Sequence, residues 1–490
     1  MCAALARLNL SNTTIAAAEE IAAGGFVPPP GSFALPMPPG VPPPYNGLPA
    51  FCRVAGTIAP VANSEIRFEV WLPTGWNGKF AAVGNGGAAG FIFYPFMAEA
   101  LRGGYAVGAT DTGHAGGMAD WRFTSDREKS VDFGYRAVHE MTVTSKAVVE
   151  AHYGSAAKRS YWNGCSTGGR QGLVAARRFP DDFDGIVAGA PANNLAFQSI
   201  RQVLIEQASL DRVEPLTREK LTLLNEAAIA ACDGADGVRD RTVNDPATCR
   251  FDPGVLSCTA TATETNCLTP RQVALARQVY GGIRDPQSGE QIFPGLPPTS
   301  EPDWLPPPFV AATESIGANY FRQVLHRDTN TDPSRVDLDA DVPRARKDDA
   351  VVSITDPDLQ TFVQHGRKLL LWHGGSDGAI PVGNTINYYN QVMAKTGGGQ
   401  PSNQIRFFIA PGVQHCGGGE GAWQADLLSV IDQWVESGTA PERIVAQRPL
   451  QGGGTRTRPW CPYPQVATFN EQGNSDAASS FVCKAPVQTP

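Results

Sequence analysis

The stretch Arg159-Ser160-Tyr161-Trp162-Asn163-Gly164-Cys165-Ser166-Thr167-Gly168-Gly169-Arg170-Gln171-Gly172 decides the fold. Ser160–Asn163 reads as a short strand, and a helix starts near Gly168 with the helix formers Leu173, Val174, Ala175 and Ala176 behind it. Between them lies G-x-S-x-G, the turn that presents a serine hydroxyl at the end of a sheet. Gly168 and Gly169 carry no side chain, so helix and strand can approach closely. A second match at Gly374–Gly378 also follows a strand, but Gly378 and Pro381 behind Ser376 form a loop signature. Ser166 is therefore the expected nucleophile.

Outward from this turn the alternation of strand and helix repeats. Residues 66–72 alternate like a half-buried strand, 80–83 and 105–109 are short apolar strands, and a helix covers about 131–152. A buried strand follows at 185–188, the pattern resumes at 368–372 and 404–409, and the last strong helix is 423–435. Such alternation gives a mostly parallel, doubly covered sheet, here of the α/β-hydrolase type. Between 193 and 345 it breaks, in a stretch holding the closest cysteine pairs, an acidic turn and the loop-rich run 293–309. The expected organisation is a hydrolase domain in two parts, 1–192 and 346–490, interrupted by a lid domain at 193–345. Residues 27–45 are proline-rich and should run extended over the surface.

A chain of 490 residues exceeds one compact core, which fits an insertion. Its net charge of -8 argues against nucleic acid and anionic membrane surfaces as partners. No apolar run is long enough to span a bilayer. Ten cysteines without a CxxC pair point to disulfides in an oxidising compartment, hence a secreted or periplasmic protein. Met1-Cys2-Ala3-Ala4 opens without a signal peptide, which reads as a mature form whose export signal has been removed.

A serine hydroxyl attacks only when a base takes its proton, and there are seven histidines to choose from. His139 and His152 precede the turn, His326 lies in the expected lid, His365 precedes a strand and His373 ends a buried one. His114 follows a strand end and is the rival. His415 sits in the loop after the last apolar strand, as the chain order Ser…Asp…His requires. Asp377 falls between the two and is the expected acid, with Asp111 as its rival. Thr167, directly after the serine, and Gly87 of the glycine-rich loop 84–90 are the expected oxyanion donors, with Gly86 as the alternative.

Cys165 precedes the expected nucleophile and Cys416 follows the expected base. Cys232–Cys249, Cys258–Cys267, Cys461–Cys483 and Cys2–Cys52 form plausible neighbours, which leaves Cys165 and Cys416 for each other, although ten cysteines permit many connectivities. The acidic turn Cys232-Asp233-Gly234-Ala235-Asp236-Gly237-Val238-Arg239-Asp240-Arg241-Thr242 suits a hard cation held by oxygens, or on spacing alone a solvated turn.

The cysteine–serine and histidine–cysteine pairs with Asp377 between them resemble the CS-D-HC motif of the tannase and feruloyl esterase family. The resemblance extends through GNGGAAG (84–90), NGCSTGGRQG (163–172), DGIVAGAP (184–191), CDGADGVRD (232–240), LLLWHGGSDG (369–378), PGVQHCGGG (411–419) and RPWCPYPQ (458–465). It implies a serine esterase of the α/β-hydrolase fold with no organic cofactor. It also implies a structural Ca²⁺ in the lid, held by Asp233, Asp236 and Asp240 and the carbonyls of Val238 and Thr242. Members cleave hydroxycinnamoyl or galloyl esters, and one branch the mono(hydroxyethyl) ester of terephthalate. That branch uses a lid arginine in an Arg-Val-Ser-Gly-Phe-type segment; the corresponding residues here, Ile316–Phe321, carry aromatics and no cation before Arg322. Small feruloyl-type aromatic esters are the expected substrates. A non-catalytic polyphenol- or carbohydrate-binding protein is the alternative from another class.

Overall fold

A computed structural model describes residues 2–30, 32, 43–209, 214–259, 266–305, 314–347, 351–396, 403–450 and 452–486. Much of the proline-rich run (31 and 33–42) and the end of the loop-rich run (306–309) lie outside the described residues. The chain forms two compact units. One comprises Met1–Ala188, Asp349–Leu369 and Ile431–Gly438; the other comprises Gly189–Asp348, Leu370–Val430 and Thr439–Pro490.

In the first unit the strands are β1 (Thr13–Ile21), β2 (Phe51–Ile58), β3 (Ile66–Pro73), β4 (Lys79–Val83), β5 (Ala106–Thr110), β6 (Arg159–Cys165) and β7 (Gly185–Gly189), in the order β1-β2-β3-β5-β4-β6-β7. β4 pairs parallel with β5 and β6, while β1, β2, β3 and β5 pair antiparallel in sequence. β5 and β7 are buried at every residue, as strands covered on both faces must be. β1 is the exposed edge; its Glu19 meets Arg53 of β2 at 2.6 Å, and charge on an edge strand discourages further pairing. The expected helix around 131–152 is Ala137–Tyr153, and it stops at Gly154, whose φ of 71° suits a glycine cap.

The second unit opens with helices, and its first strands are a hairpin, β8 (Ile283–Arg284) and β9 (Gln291–Phe293), which pair only with each other. The unit has a core of its own built on Ile205, Leu221, Leu224, Leu268, Val273 and Trp304. β10 (Lys368–Gly374), β11 (Ile405–Ala410), β12 (Ile444–Pro449) and β13 (Thr455–Pro462) follow in the order β10-β11-β13-β12, with β13 antiparallel to both its neighbours. A separate hairpin joins β14 (Val466–Phe469) to β15 (Phe481–Lys484). The architecture is an α/β fold with a mixed central sheet whose parallel part surrounds β4.

The last helix corrects the expected 423–435, since it runs over Leu427–Ser437. Gln424 exchanges both backbone hydrogen bonds with Gln447 of β12 at 2.9 Å, and Asp426 accepts the N–H of Ser429 at 3.0 Å as an N-cap.

The disulfides Cys2–Cys52, Cys232–Cys249, Cys258–Cys267 and Cys461–Cys483 form with Cα separations of 5.6, 5.4, 4.8 and 5.5 Å, all within the normal range. Cys165 and Cys416 are disulfide-bonded as well.

Candidate active site

β6 ends at Cys165, and Ser166 follows at φ 63° and ψ -121° before the helix Thr167–Arg178. A serine held there costs roughly 1–3 kcal/mol, so the surroundings must impose it. They do so through missing side chains. A Cβ on Gly164 would lie 2.6 Å from the carbonyl of Gly168, and one on Gly84 would lie 2.5 Å from the Gly168 Cα. The Trp162 indole donates to the Gly168 carbonyl at 2.9 Å and fixes the first helical turn from below.

The glycine-rich loop after β4 is tied to the same helix. Asn85 donates its N–H to Gln171 Oε1 at 3.0 Å, and Gln171 Nε2 returns a bond to Asn85 Oδ1 at 3.1 Å. Thr167 is buried, and its hydroxyl donates to the Gly87 carbonyl at 2.8 Å. The structure thus places Gly87 and Thr167 together beside Ser166. The rivals are engaged elsewhere. His114 is buried with Nε2 2.8 Å from the Ala88 carbonyl and Nδ1 3.2 Å from Thr112, and burial lowers its proton affinity. Asp111 accepts the N–H groups of Arg67 and Gly113, both at 2.9 Å, and burial pushes its carboxyl up to about 7.

In the second unit, Asp377 and His415 meet. Asp377 follows β10 and is fully buried; its Oδ1 accepts the N–H groups of Ala379 and Ile380, each at 2.8 Å. Its Oδ2 faces His415 Nδ1 at 2.8 Å and His373 Nε2 at 3.1 Å. Burial alone would raise the Asp377 carboxyl, but the His415 charge and hydrogen bonds from both histidines hold it well below the usual carboxylate range. Burial would lower His415, yet the charge and hydrogen bond of Asp377 outweigh it and raise its proton affinity. A quarter of the His415 side chain, 25%, stays exposed. Ser376, in the second G-x-S-x-G match, is buried with its hydroxyl 2.6 Å from Thr299 Oγ1, as a packing residue would be.

The acidic turn follows the helix Arg218–Cys232. Asp233 and Asp236 are buried, and burial with the neighbouring Asp240 and Asp233 charges pushes the Asp236 carboxyl up to about 6. Asp236 takes hydrogen bonds from Val238 N–H at 3.1 Å and from the Asn244 amide, whose own Oδ1 is buried with no partner. Asp240 accepts the N–H of Thr242 at 3.1 Å and is joined by the Arg458 guanidinium. Among the described residues, no three Asp, Glu, His or Cys side chains are already gathered as a ligand set. A buried carboxylate cluster beside an unmatched amide oxygen nevertheless has the chemistry of a calcium site.

Three residues near the Asp377–His415 pair escaped the sequence reading. His373 was legible only as a residue ending a buried strand. Asp303 lies in the loop-rich run, where nothing in its neighbours signals a role. Arg201 is 2% exposed in the helix Leu195–Ser209, and its placement between Ile200 and Val203 is the one signal that was available.

The crystal structure of feruloyl esterase B from Aspergillus oryzae superposes with a TM-score of 0.87 at 28% identity, over 99% of each chain. An uncharacterized esterase of Xanthomonas campestris is 34% identical, covering 98% of this chain and 91% of its own. A probable feruloyl esterase of Arthroderma benhamiae is 35% identical, covering 88% of this chain and 85% of its own. Fold and relatives define a carboxylic ester hydrolase of the α/β-hydrolase class. The family model for tannase and feruloyl esterase matches residues 52–484, and the chain belongs to that family.

Proposed function

We propose that this esterase is a secreted enzyme that hydrolyses esters of aromatic acids, feruloyl and other hydroxycinnamoyl esters foremost, through an acyl-enzyme on Ser166. The observation that carries this reading is the pairing of a buried, ionised Asp377 with His415 Nδ1 at 2.8 Å, a base held in one tautomer and orientation. The left-handed backbone of Ser166 supports it from the other side of the chemistry. His415 Nε2 takes the Ser166 proton as Oγ attacks the ester carbonyl, and the N–H groups of Thr167 and Gly87 receive the oxyanion. The alcohol leaves with the proton from His415. Water, deprotonated by the same imidazole, then attacks the acyl carbonyl, and the aromatic acid leaves as Ser166 recovers its proton.

In this reading Cys165 and Cys416 bond to each other and hold nucleophile and base in register. Asp233, Asp236 and Asp240, with the carbonyls of Val238 and Thr242, hold a Ca²⁺ that neutralises the turn and stiffens it. Export is supported by the disulfides, since such bridges persist in oxidising compartments. No helix among the described residues is long and apolar enough to cross a membrane. The feruloyl preference draws on the names of the relatives. It is tested by kcat/KM on methyl ferulate, methyl gallate, chlorogenate and the mono(hydroxyethyl) ester of terephthalate. Ferulate should lead; a preference for gallate or terephthalate overturns that part of the reading. Labelling by a fluorophosphonate that is lost in Ser166→Ala tests the nucleophile.

A further inference from the structure

The loop after β10 that carries Asp377 and the loop after β11 that carries His415 are both touched by side chains from residues 189–348. Arg201 Nη2 donates to the Ala379 carbonyl at 2.5 Å, and the N–H of the same Ala379 donates to Asp377 Oδ1 at 2.8 Å. One residue therefore connects the guanidinium to the carboxylate. The Asp303 carboxylate lies close enough to the backbone N–H groups of Gly378 and His415, and to the His415 charge, for them to oppose the burial that pushes it up to about 6. The fit is close: a Cβ on Gly378 would lie 2.6 Å from the Asp303 Cβ.

Arg201 is also unusual in itself. It is buried, and its Nε and Nη1 have no hydrogen-bond partner. Burying a charge without a paired counter-ion is expensive, and such groups collect where a reaction depends on them. The charges it senses are Asp377 and, on its own helix, Glu206.

We propose that Arg201 and Asp303 are positioning residues for the Asp377–His415 pair, fixing the backbone of both loops and shaping the field in which His415 accepts its proton. The proposal rests on His415 being the base. The groups facing His415 are Asp377, Asp303 and Arg201, with His373 on the same Asp377 oxygen. Their signs differ: Asp377 and Asp303 favour the imidazolium, and Arg201 opposes it.

The test is the pH profile of kcat/KM on 4-nitrophenyl butyrate, an activated ester that reports the machinery rather than substrate fit. The acid limb follows protonation of the base in the free enzyme. Arg201→Met should move that limb to higher pH and Asp303→Asn to lower pH, each by about half a unit or more. kcat should fall about 10- to 100-fold with KM nearly unchanged, since the loops lose register rather than substrate contacts. Arg201→Lys should keep the limb of the parent while kcat falls, because the charge stays and the planar donor is lost. Limbs that stay put, or that move in the same direction in Arg201→Met and Asp303→Asn, overturn the proposal. If Arg201→Met does not fold, Asp303→Asn and Arg201→Lys decide it alone. Fluorophosphonate labelling of the parent separates the two levels: failure to label Ser166 removes the base assignment, whereas normal labelling with unmoved limbs removes only the positioning role.

Discussion

Thr167 Oγ1 donates to the carbonyl oxygen of Gly87 over 2.8 Å, joining the first residue of the helix Thr167–Arg178 to a loop 80 residues earlier. Both residues are proposed to point an N–H at the same oxyanion, so their spacing matters more than either alone. Thr167→Val keeps the shape and removes the donor. We expect kcat on methyl ferulate to fall about tenfold or more with KM little changed, the mark of an interaction felt in the transition state. Thr167→Ser should retain most of the rate. A Thr167→Val enzyme with parental kcat shows that the loop needs no such tie.

Ser166→Ala and His415→Ala should each lower kcat by on the order of 10⁴–10⁶. Ser376→Ala loses only its contact with Thr299 and should turn over normally, at a stability cost of about 1 kcal/mol. Active Ser166→Ala beside inactive Ser376→Ala would reverse the assignment of the two motifs.

The acidic turn makes a prediction about pH as well as metal. The Asp236 carboxyl lies at about 6 in the fold, above its ordinary 3.8. Metal-free protein should therefore lose stability as pH rises from about 4 through about 6 and level off above. Calcium should remove that loss at neutral pH, raise Tm by mass action, and appear in metal analysis with a stoichiometry abolished by Asp236→Ala. A Tm indifferent to both EDTA and added calcium from pH 4 to 8 rules out the ion.

Paired removal of cysteines separates a staple from a catalytic brace. Cys461–Cys483 joins β13 to β15 and packs with Ala467 and Phe481. Cys461→Ala with Cys483→Ala should lower Tm and leave the kcat of folded protein near its parental value. Cys165→Ala with Cys416→Ala should lower kcat more than it raises KM, because misplacing reacting groups by about 1 Å can cost on the order of 100-fold. Equal kcat losses in the two pairs refute the brace.

Much of this fold was legible because burial on both faces writes itself as unbroken apolar runs. β4, β5, β7 and β10 show it, and the turn at Ser166 shows itself by its glycines. β1 does not, because an exposed edge strand needs no apolar face and Glu19 and Glu20 sit within it. The last helix was set four residues early, since Trp423 is apolar like a helix face while Gln424 pairs as a strand. Asp377 and His415 follow from chain order. Arg201 and Asp303 do not, because what they touch, Ala379 and Gly378, lies more than 70 residues further along the chain, and no local pattern encodes such a contact.

The hydrogen bond from Arg201 to Ala379 also bears on how such enzymes can be recombined. A designer seeking new specificity would exchange the stretch between β7 and β10 as a cassette and leave the strands untouched. Here that cassette carries the guanidinium that reaches Ala379 and the carboxylate packed against Gly378. A chimera taking its insertion from a relative without an arginine and an aspartate at these places inherits an altered acid–base pair along with the altered cleft. Grafts that keep Arg201 and Asp303 should retain turnover on simple esters, whatever aromatic acid they come to prefer.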